Sequence, residues 1–294
     1  IKNGKVIAAT EEERFNRLKS SQLFFPKNSI NFCLEKANCK ISDIDVVVAD
    51  GATYKNLRKK IIKSMEFYFN YCPKIEILEH PLSHSFGTFI SSGYSRSLVV
   101  SIDGVGDNIS TLITKFEKKN NKIKLRKLYV DYLNNSLGDF YGLFTNYLGF
   151  RLNEGEYKVM GMAAYGKPKY NLENIIKFDS KSGKIISNLK NFISRKINTN
   201  INEPIYNENK VYKLLKVKKR NPSETFNQKH FDLAASVQFQ FSKVYLGIIN
   251  FYAKKERLEN VCLSGGCALN CLANYKLLKS FKKIYVMPAS SDRG

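Results

Sequence analysis

Apolar and polar positions along this chain switch between a period of two and a period near 3.6, in blocks short enough to be strands and helices. An Asn3-Gly4 pair between apolar residues is a strong short hairpin signal, and most of the strand before it is missing. The charged run from Glu11 to Lys19 predicts a turn or short helix. Pro26 opens a predicted helix through about residue 37. A short buried strand is expected at 44–49, an amphipathic helix at 57–69 and a strand at 75–78. Pro81 suits the first turn of a helix carrying residues 82–90. Residues 98–102 predict a strand ending at Asp103, with paired strands at 110–116 and 123–130 and a helix at 140–148. A long helix at 231–254, a strand at 261–263, a helix at 269–278 and a strand at 284–287 complete the pattern. Residues 171–225 are polar, Asn/Lys-rich and weakly periodic, and are expected to be an insertion with little regular structure. Strands and helices alternate in two passes, so the expected fold is α/β, in two layers with a cleft between them.

The 294 residues are 43% hydrophobic, ample for one large or two moderate domains. The formal net charge of +22 fits either an anionic-partner surface or exposed faces dressed in lysine. The lysines are spread and form no ordered array with Arg and aromatics, which favours the second and makes nucleic acid an unexpected partner. One concentration, Lys213 to Arg220, is expected in a loop. Six cysteines form no C-x-x-C pair, which suggests small buried thiols and a reducing, cytoplasmic setting. No apolar stretch approaches a membrane span. The chain opens at Ile1 without Met and stops two residues past Asp292, so it looks like an internal fragment.

Four separated motifs carry candidate chemistry. His80-Pro81-Leu82-Ser83-His84 puts two imidazoles at i, i+4, one above the other on a helix. They suit a divalent metal with open positions, or an ordinary surface pair. Asp103-Gly104-Val105-Gly106-Asp107 puts a carboxylate at a strand end beside glycines, which fits a metal-phosphate site or a tight hairpin turn equally well. Ser264-Gly265-Gly266 lies between a strand and a helix beginning near Ala268, whose N-terminal N–H groups could hold a phosphate or ribose hydroxyl. Asp292 follows the last strand. Neither the Rossmann fingerprint nor the Walker loop is present, and no Ser/His/Asp or Cys/His nucleophile set is evident, so the catalytic base stays unknown. His230 stands alone before the long helix and reads as structural.

Together with Ala8-Ala9-Thr10-Glu11-Glu12-Glu13-Arg14-Phe15 and Gly155-Glu156-Tyr157-Lys158-Val159-Met160-Gly161, these motifs run in one order across nearly the whole chain. In that order they resemble the O-carbamoyltransferase family of NodU and TobZ, which modify nodulation factors and antibiotics. The resemblance implies an actin-like ATPase-type (ASKHA) fold of two ribonuclease-H-like halves, 1–96 and 97–294. It implies a metal, iron in the family, held by His80, His84, Asp103 and Asp292. Gly104, Gly106, Gly265, Gly266 and Asn270 would bind nucleotide, and Lys19, Glu156 and Lys158 the substrate. The implied reaction moves a carbamoyl group from carbamoyl adenylate to a hydroxyl of a sugar-like or secondary-metabolite acceptor. ATP and carbamoyl phosphate would supply the adenylate in a C-terminal domain that this chain lacks, so the piece alone is expected to be inactive.

Two positions depart from the family pattern. Pro81 stands where a second adjacent His is usual, and Arg293-Gly294 follows Asp292 where a small residue is usual. A tRNA threonylcarbamoyl-transfer protein of the same fold is the alternative, disfavoured because Leu82-Ser83 replaces the Glu of its histidine motif. A non-catalytic binding module is the third.

Overall fold

The computed structural model describes residues 1–18, 21, 24–120, 122–195, 204–290 and 292. Lys19, Arg293 and Gly294, singled out above, lie outside the described residues. The Asn3-Gly4 pair makes the expected turn, both residues at positive φ, bridging Lys2 to Lys5. Helix α1 (Glu13–Asn16) and helix α2 (Lys27–Ala37) follow. The charged run does more than make that short helix. Glu12 is buried, and its carboxylate accepts the Ser29 N–H at 2.8 Å and the Asn28 amide at 2.7 Å, capping the first turn of α2 from outside. Burial alone would raise the Glu12 carboxyl, but these donors outweigh it and hold it below the usual glutamate range.

Strand β1 (Val46–Asp50), helix α3 (Leu57–Phe69) and strand β2 (Lys74–Leu78) form a parallel crossover unit, Asp50 lying opposite Leu78. Helix α4 (His80–Ser92) starts two residues after β2, with Pro81 in its first turn and Gly93 ending it at positive φ. It leads into a second sheet. Strand β3 (Arg96–Gly106) runs past Asp103, further than the expected end, and pairs antiparallel with β4 (Ile109–Lys119), which pairs with β5 (Lys122–Tyr132). Helix α5 (Leu137–Tyr147) begins at a Ser136 cap. The glycine-punctuated stretch that follows, read without an element, is helix α6 (Glu156–Met162).

The insertion is more ordered than its composition suggests. It holds two hairpins, β6 (Ile176–Asp179) with β7 (Lys184–Ser187) and β8 (Ile193–Arg195) with β9 (Pro204–Tyr206), and helix α7 (Glu208–Leu215). Leu172, Ile175, Ile176, Ile185, Leu189, Val211 and Val217 are buried in the main core. The Lys213–Arg220 run is likewise not all loop: Lys213 lies in α7, and Arg220 is buried. Its Nε donates to the Leu148 carbonyl at 2.7 Å and its Nη1 to the carbonyls of Asn221, Pro222 and Glu224, with the guanidinium 4.2 Å from the Phe226 ring centroid.

Helix α8 (Gln228–Glu256) is the long central helix, opened by an Asn227–His230 capping box that gives His230 its structural role. Strand β10 (Asn260–Ser264), helix α9 (Cys271–Leu277) and strand β11 (Lys283–Val286) finish the chain. The second sheet has the order β11-β10-β3-β4-β5, an antiparallel meander extended by two parallel strands. That is the arrangement of a ribonuclease-H-like half, and its core is the α5 and α8 side of the sheet. All six cysteines are free, but only Cys262 and Cys267 are buried, and Cys271 is exposed. Among the described residues no helix is long and apolar enough to cross a membrane.

Candidate metal centre

The two sheets meet where β1, α4 and the end of β3 converge. Gly106 closes β3, and Asp107 and Asn108, both at positive φ, make a two-residue turn into β4. Between Ile102 and Gly106 the register slips, four steps on β3 against two on β4, and Asp103 sits in that irregularity. Helix α5 pins it. Ser136 Oγ donates to the Gly104 carbonyl at 2.7 Å, and a Cβ on Gly138 would fall 2.5 Å from the Gly104 nitrogen. The turn that ends β3 thus also positions Asp103.

His80, His84, Asp103 and Asp292 each offer one ligand atom, and these atoms all lie within 4.8 Å of one another. The Nε2 atoms of His80 and His84 are 3.1 Å apart. Asp292 Oδ1 is 3.3 Å from His80 Nε2 and 2.9 Å from His84 Nε2, and Asp103 Oδ2 is 3.7 and 3.4 Å from the same nitrogens. Metal–nitrogen bonds of about 2.1 Å at right angles put neighbouring ligands roughly 3 Å apart, close to this spacing. Among the described residues this is the one cluster of three or more such side chains.

Three observations fit a cation there. Asp103 Oδ2 is buried without a hydrogen bond, a costly state unless something positive meets it. Two Nε2 atoms at 3.1 Å repel unless a proton or cation lies between them. The donor set, two imidazoles and two carboxylates, suits a divalent cation and would leave positions open on a six-coordinate ion. With no cation, protons take that place. Burial pulls His80 and His84 down, but Asp103 and Asp292, joined at His80 by Asp50, outweigh it and hold the imidazoles at about 10 and about 9. Burial would raise Asp103, and the two imidazoles drive it instead well below the carboxylate range.

Two residues given no role from sequence complete the site. Asp50 Oδ2 lies 2.6 Å from His80 Nδ1. Asp107 accepts from the backbone N–H of Ala52, Thr53 and His80 at 2.7–2.9 Å and from Thr53 Oγ1, tying the β3–β4 turn to the β1 loop and to α4. The signal for Asp50 was present, since Asp50-Gly51 at a strand end repeats the pattern of Asp103-Gly104.

The sequence profile described as Carbamoyltransferase N-terminus matches residues 50–294. The chain belongs to this family. Nodulation protein NolNO of Sinorhizobium fredii is 31% identical over 100% of this chain and 44% of its own length. An uncharacterized protein of Synechocystis sp. is 31% identical over 100% of this chain and 52% of its own length. The chain thus spans about half the length of these relatives. Component A of the Acidaminococcus fermentans (R)-2-hydroxyglutaryl-CoA dehydratase superposes at a TM-score of 0.43, with 15% identity, over 92% of this chain and 80% of that one.

The remaining expected residues of this carbamoyltransferase N-terminal region are unevenly placed. Gly106 lies against His80, where a Cβ would fall 1.9 Å from the ring, and Gly266 lies against Asp103, where it would fall 3.1 Å from Oδ1. Gly104 is 3.8 Å, by the same measure, from the carboxylate of Asp139, which pairs with Arg195 of β8. Gly265 has φ +78 and packs on the Ile102 carbonyl, so any side chain there is strained. The helix expected to begin near Ala268 is a 3₁₀ turn over Gly266–Leu269, and the α-helix starts only at Cys271. Asn270 caps it by accepting from the Ala273 N–H, and its amide pairs both ways with Gln238, so it is engaged within the fold. Glu156 caps its own turn by accepting from Asn153 and Gly155, and Lys158 lies over the rings of Phe150 and Tyr157. Neither makes a hydrogen bond or ion pair with the four clustered residues.

Proposed function

We propose that this chain is the metal-holding part of an O-carbamoyltransferase that moves a carbamoyl group from carbamoyl adenylate to an acceptor hydroxyl, sugar-like or of a secondary metabolite. The adenylate would come from ATP and carbamoyl phosphate. One observation carries the reading: a buried Asp103 carboxylate oxygen without a hydrogen bond faces two imidazole nitrogens and a second carboxylate. His80, His84, Asp103 and Asp292 would hold the cation, iron by family resemblance. Such an ion supplies Lewis acidity and a template for an anionic phosphate and a carbonyl.

The chain's own residues shape the approach. The irregular β3 end and the turn at Gly265 and Gly266 present backbone rather than side chains beside Asp103, leaving room for an adenylate phosphate. In the transfer the acceptor oxygen bonds to the carbamoyl carbon, the bond from that carbon to the phosphate oxygen breaks, AMP leaves, and the hydroxyl proton passes to a base.

The test uses the full-length protein. ATP turnover that depends on carbamoyl phosphate is expected, and His84→Ala should lose transfer by about 10²-fold or more while adenylate formation continues. A His84→Ala protein that transfers at the wild-type rate sinks the metal-assisted reading.

A further inference from the structure

The four ligand atoms do not by themselves decide which nitrogen of His80 carries its proton. A neutral imidazole has one N–H and one lone pair, and only the lone pair can meet a cation. Resting on the metal reading above, we propose that Asp50 is a positioning residue for the centre, fixing the tautomer and ring plane of His80 so that the Nε2 lone pair faces the other ligands.

The geometry is specific. His80 Nδ1 donates to Asp50 Oδ2 at 2.6 Å, while Nε2 looks toward His84, Asp103 and Asp292. A carboxylate cannot donate, so the proton of this bond sits on Nδ1. Metal-bound histidines are commonly braced this way, and the brace also raises ligand basicity. His84 has no such partner: among the described residues its Nδ1 makes no hydrogen bond. The two imidazoles are therefore unequal, His80 braced and His84 held by its helix.

Asp50 is built for this place. It is the last residue of β1, and the Gly51 N–H bonds the Leu78 carbonyl before Gly51, at φ +106, turns the chain away. The carboxylate is left half-exposed at the strand end, beside the start of α4. It comes from the first sheet, whereas Asp103 and Asp292 come from the second sheet and the segment after it. Asp50 thereby makes the aim of one ligand depend on where β1 sits relative to α4.

The test is Co²⁺ binding to the full-length protein, followed by absorption and calorimetry. Asp50→Asn keeps an acceptor and should weaken Co²⁺ about tenfold, and Asp50→Ala by up to about 100-fold. Asp45→Asn, an exposed carboxylate at the other end of β1, should match wild type. In the Co²⁺-loaded protein the exchangeable, paramagnetically shifted Nδ1–H proton of His80 should be present in wild type and Asp45→Asn and lost in Asp50→Ala. If both Asp50 variants bind Co²⁺ as wild type does and His84→Ala does not, the positioning role falls while the metal reading stands. If wild type fails to bind Co²⁺, or His84→Ala binds it equally well, both fall together.

Discussion

Replacing Gly106 with alanine should separate the metal centre from the fold that carries it. Gly106 does not have positive φ, so its backbone accepts a side chain; what forbids one is His80. The added Cβ would lie 1.9 Å from Cδ2, 2.4 Å from Cγ and 2.6 Å from Nε2 of that ring, where ordinary contact begins at 3.4 Å. The ring must retreat by 3.4 − 1.9, about 1.5 Å. Metal–ligand lengths are held to roughly 0.2 Å, so the displaced Nε2 is lost as a ligand. Loss of an outer brace alone costs 10–100-fold, so affinity should fall by at least about 100-fold, or ~2.7 kcal/mol. The crowding should also cost the metal-free protein about 1–3 kcal/mol. Co²⁺ titration and urea unfolding without metal read the two quantities. His80→Ala removes the clashing ring, so Gly106→Ala should cost almost nothing in that background, a coupling of about 1 kcal/mol or more. An unchanged Co²⁺ affinity, or the same stability cost in both backgrounds, would refute the reasoning.

Other outcomes follow from the same geometry. Arg220→Met should destabilise by about 1–3 kcal/mol in chemical denaturation, because the buried Leu148 carbonyl loses its donor; a loss under about 0.5 kcal/mol would contradict it. Glu12→Gln should cost about 1 kcal/mol at neutral pH. The folded Glu12 carboxyl is lowered from 4.5, so its contribution is full above that value and fades as pH falls through the lowered one; a difference from wild type that grows on acidification would be the wrong sign. Gly266→Val crowds Asp103 and should weaken AMP binding about tenfold with the melting temperature near wild type, whereas equal loss of both would return the turn to a structural role.

The elements legible in the sequence are those whose burial is periodic within the element itself. Helix α3 falls at the expected residues 57–69, and α8, β4 and β5 are found within a few residues of their expected bounds. The insertion was not legible because its order is borrowed. Its first hairpin is held by α8: Gln240 donates to the Ile176 carbonyl at 2.6 Å, Phe178 packs on Phe251, and Tyr252 bonds the Gly183 carbonyl, while Arg195 of the second strand pair is paired with Asp139 of α5. Such contacts leave no local period to read. The four clustered residues stood out because their motifs run in the family's order, and Asp292 taken by itself is an ordinary loop aspartate. Asp107 stood inside such a motif yet revealed no role, since its partners, Ala52, Thr53 and His80, are 27 to 55 residues distant. Arg220 looked like one more loop lysine or arginine, and only the carbonyls around it show otherwise.

Asp107 also bears on how this protein could be recombined with its relatives. One side chain, at the tip of a hairpin, is clasped by the loop after β1 and by the first N–H of α4. A chimera joined near residue 96 would divide those partners between two parents. Its viability would then hinge less on overall identity than on whether the donor of the opening segment offers a hydroxyl at position 53 and a backbone that can grip the carboxylate. A crossover within the insertion would leave that clasp, and every member of the four-residue cluster but Asp292, in one parent.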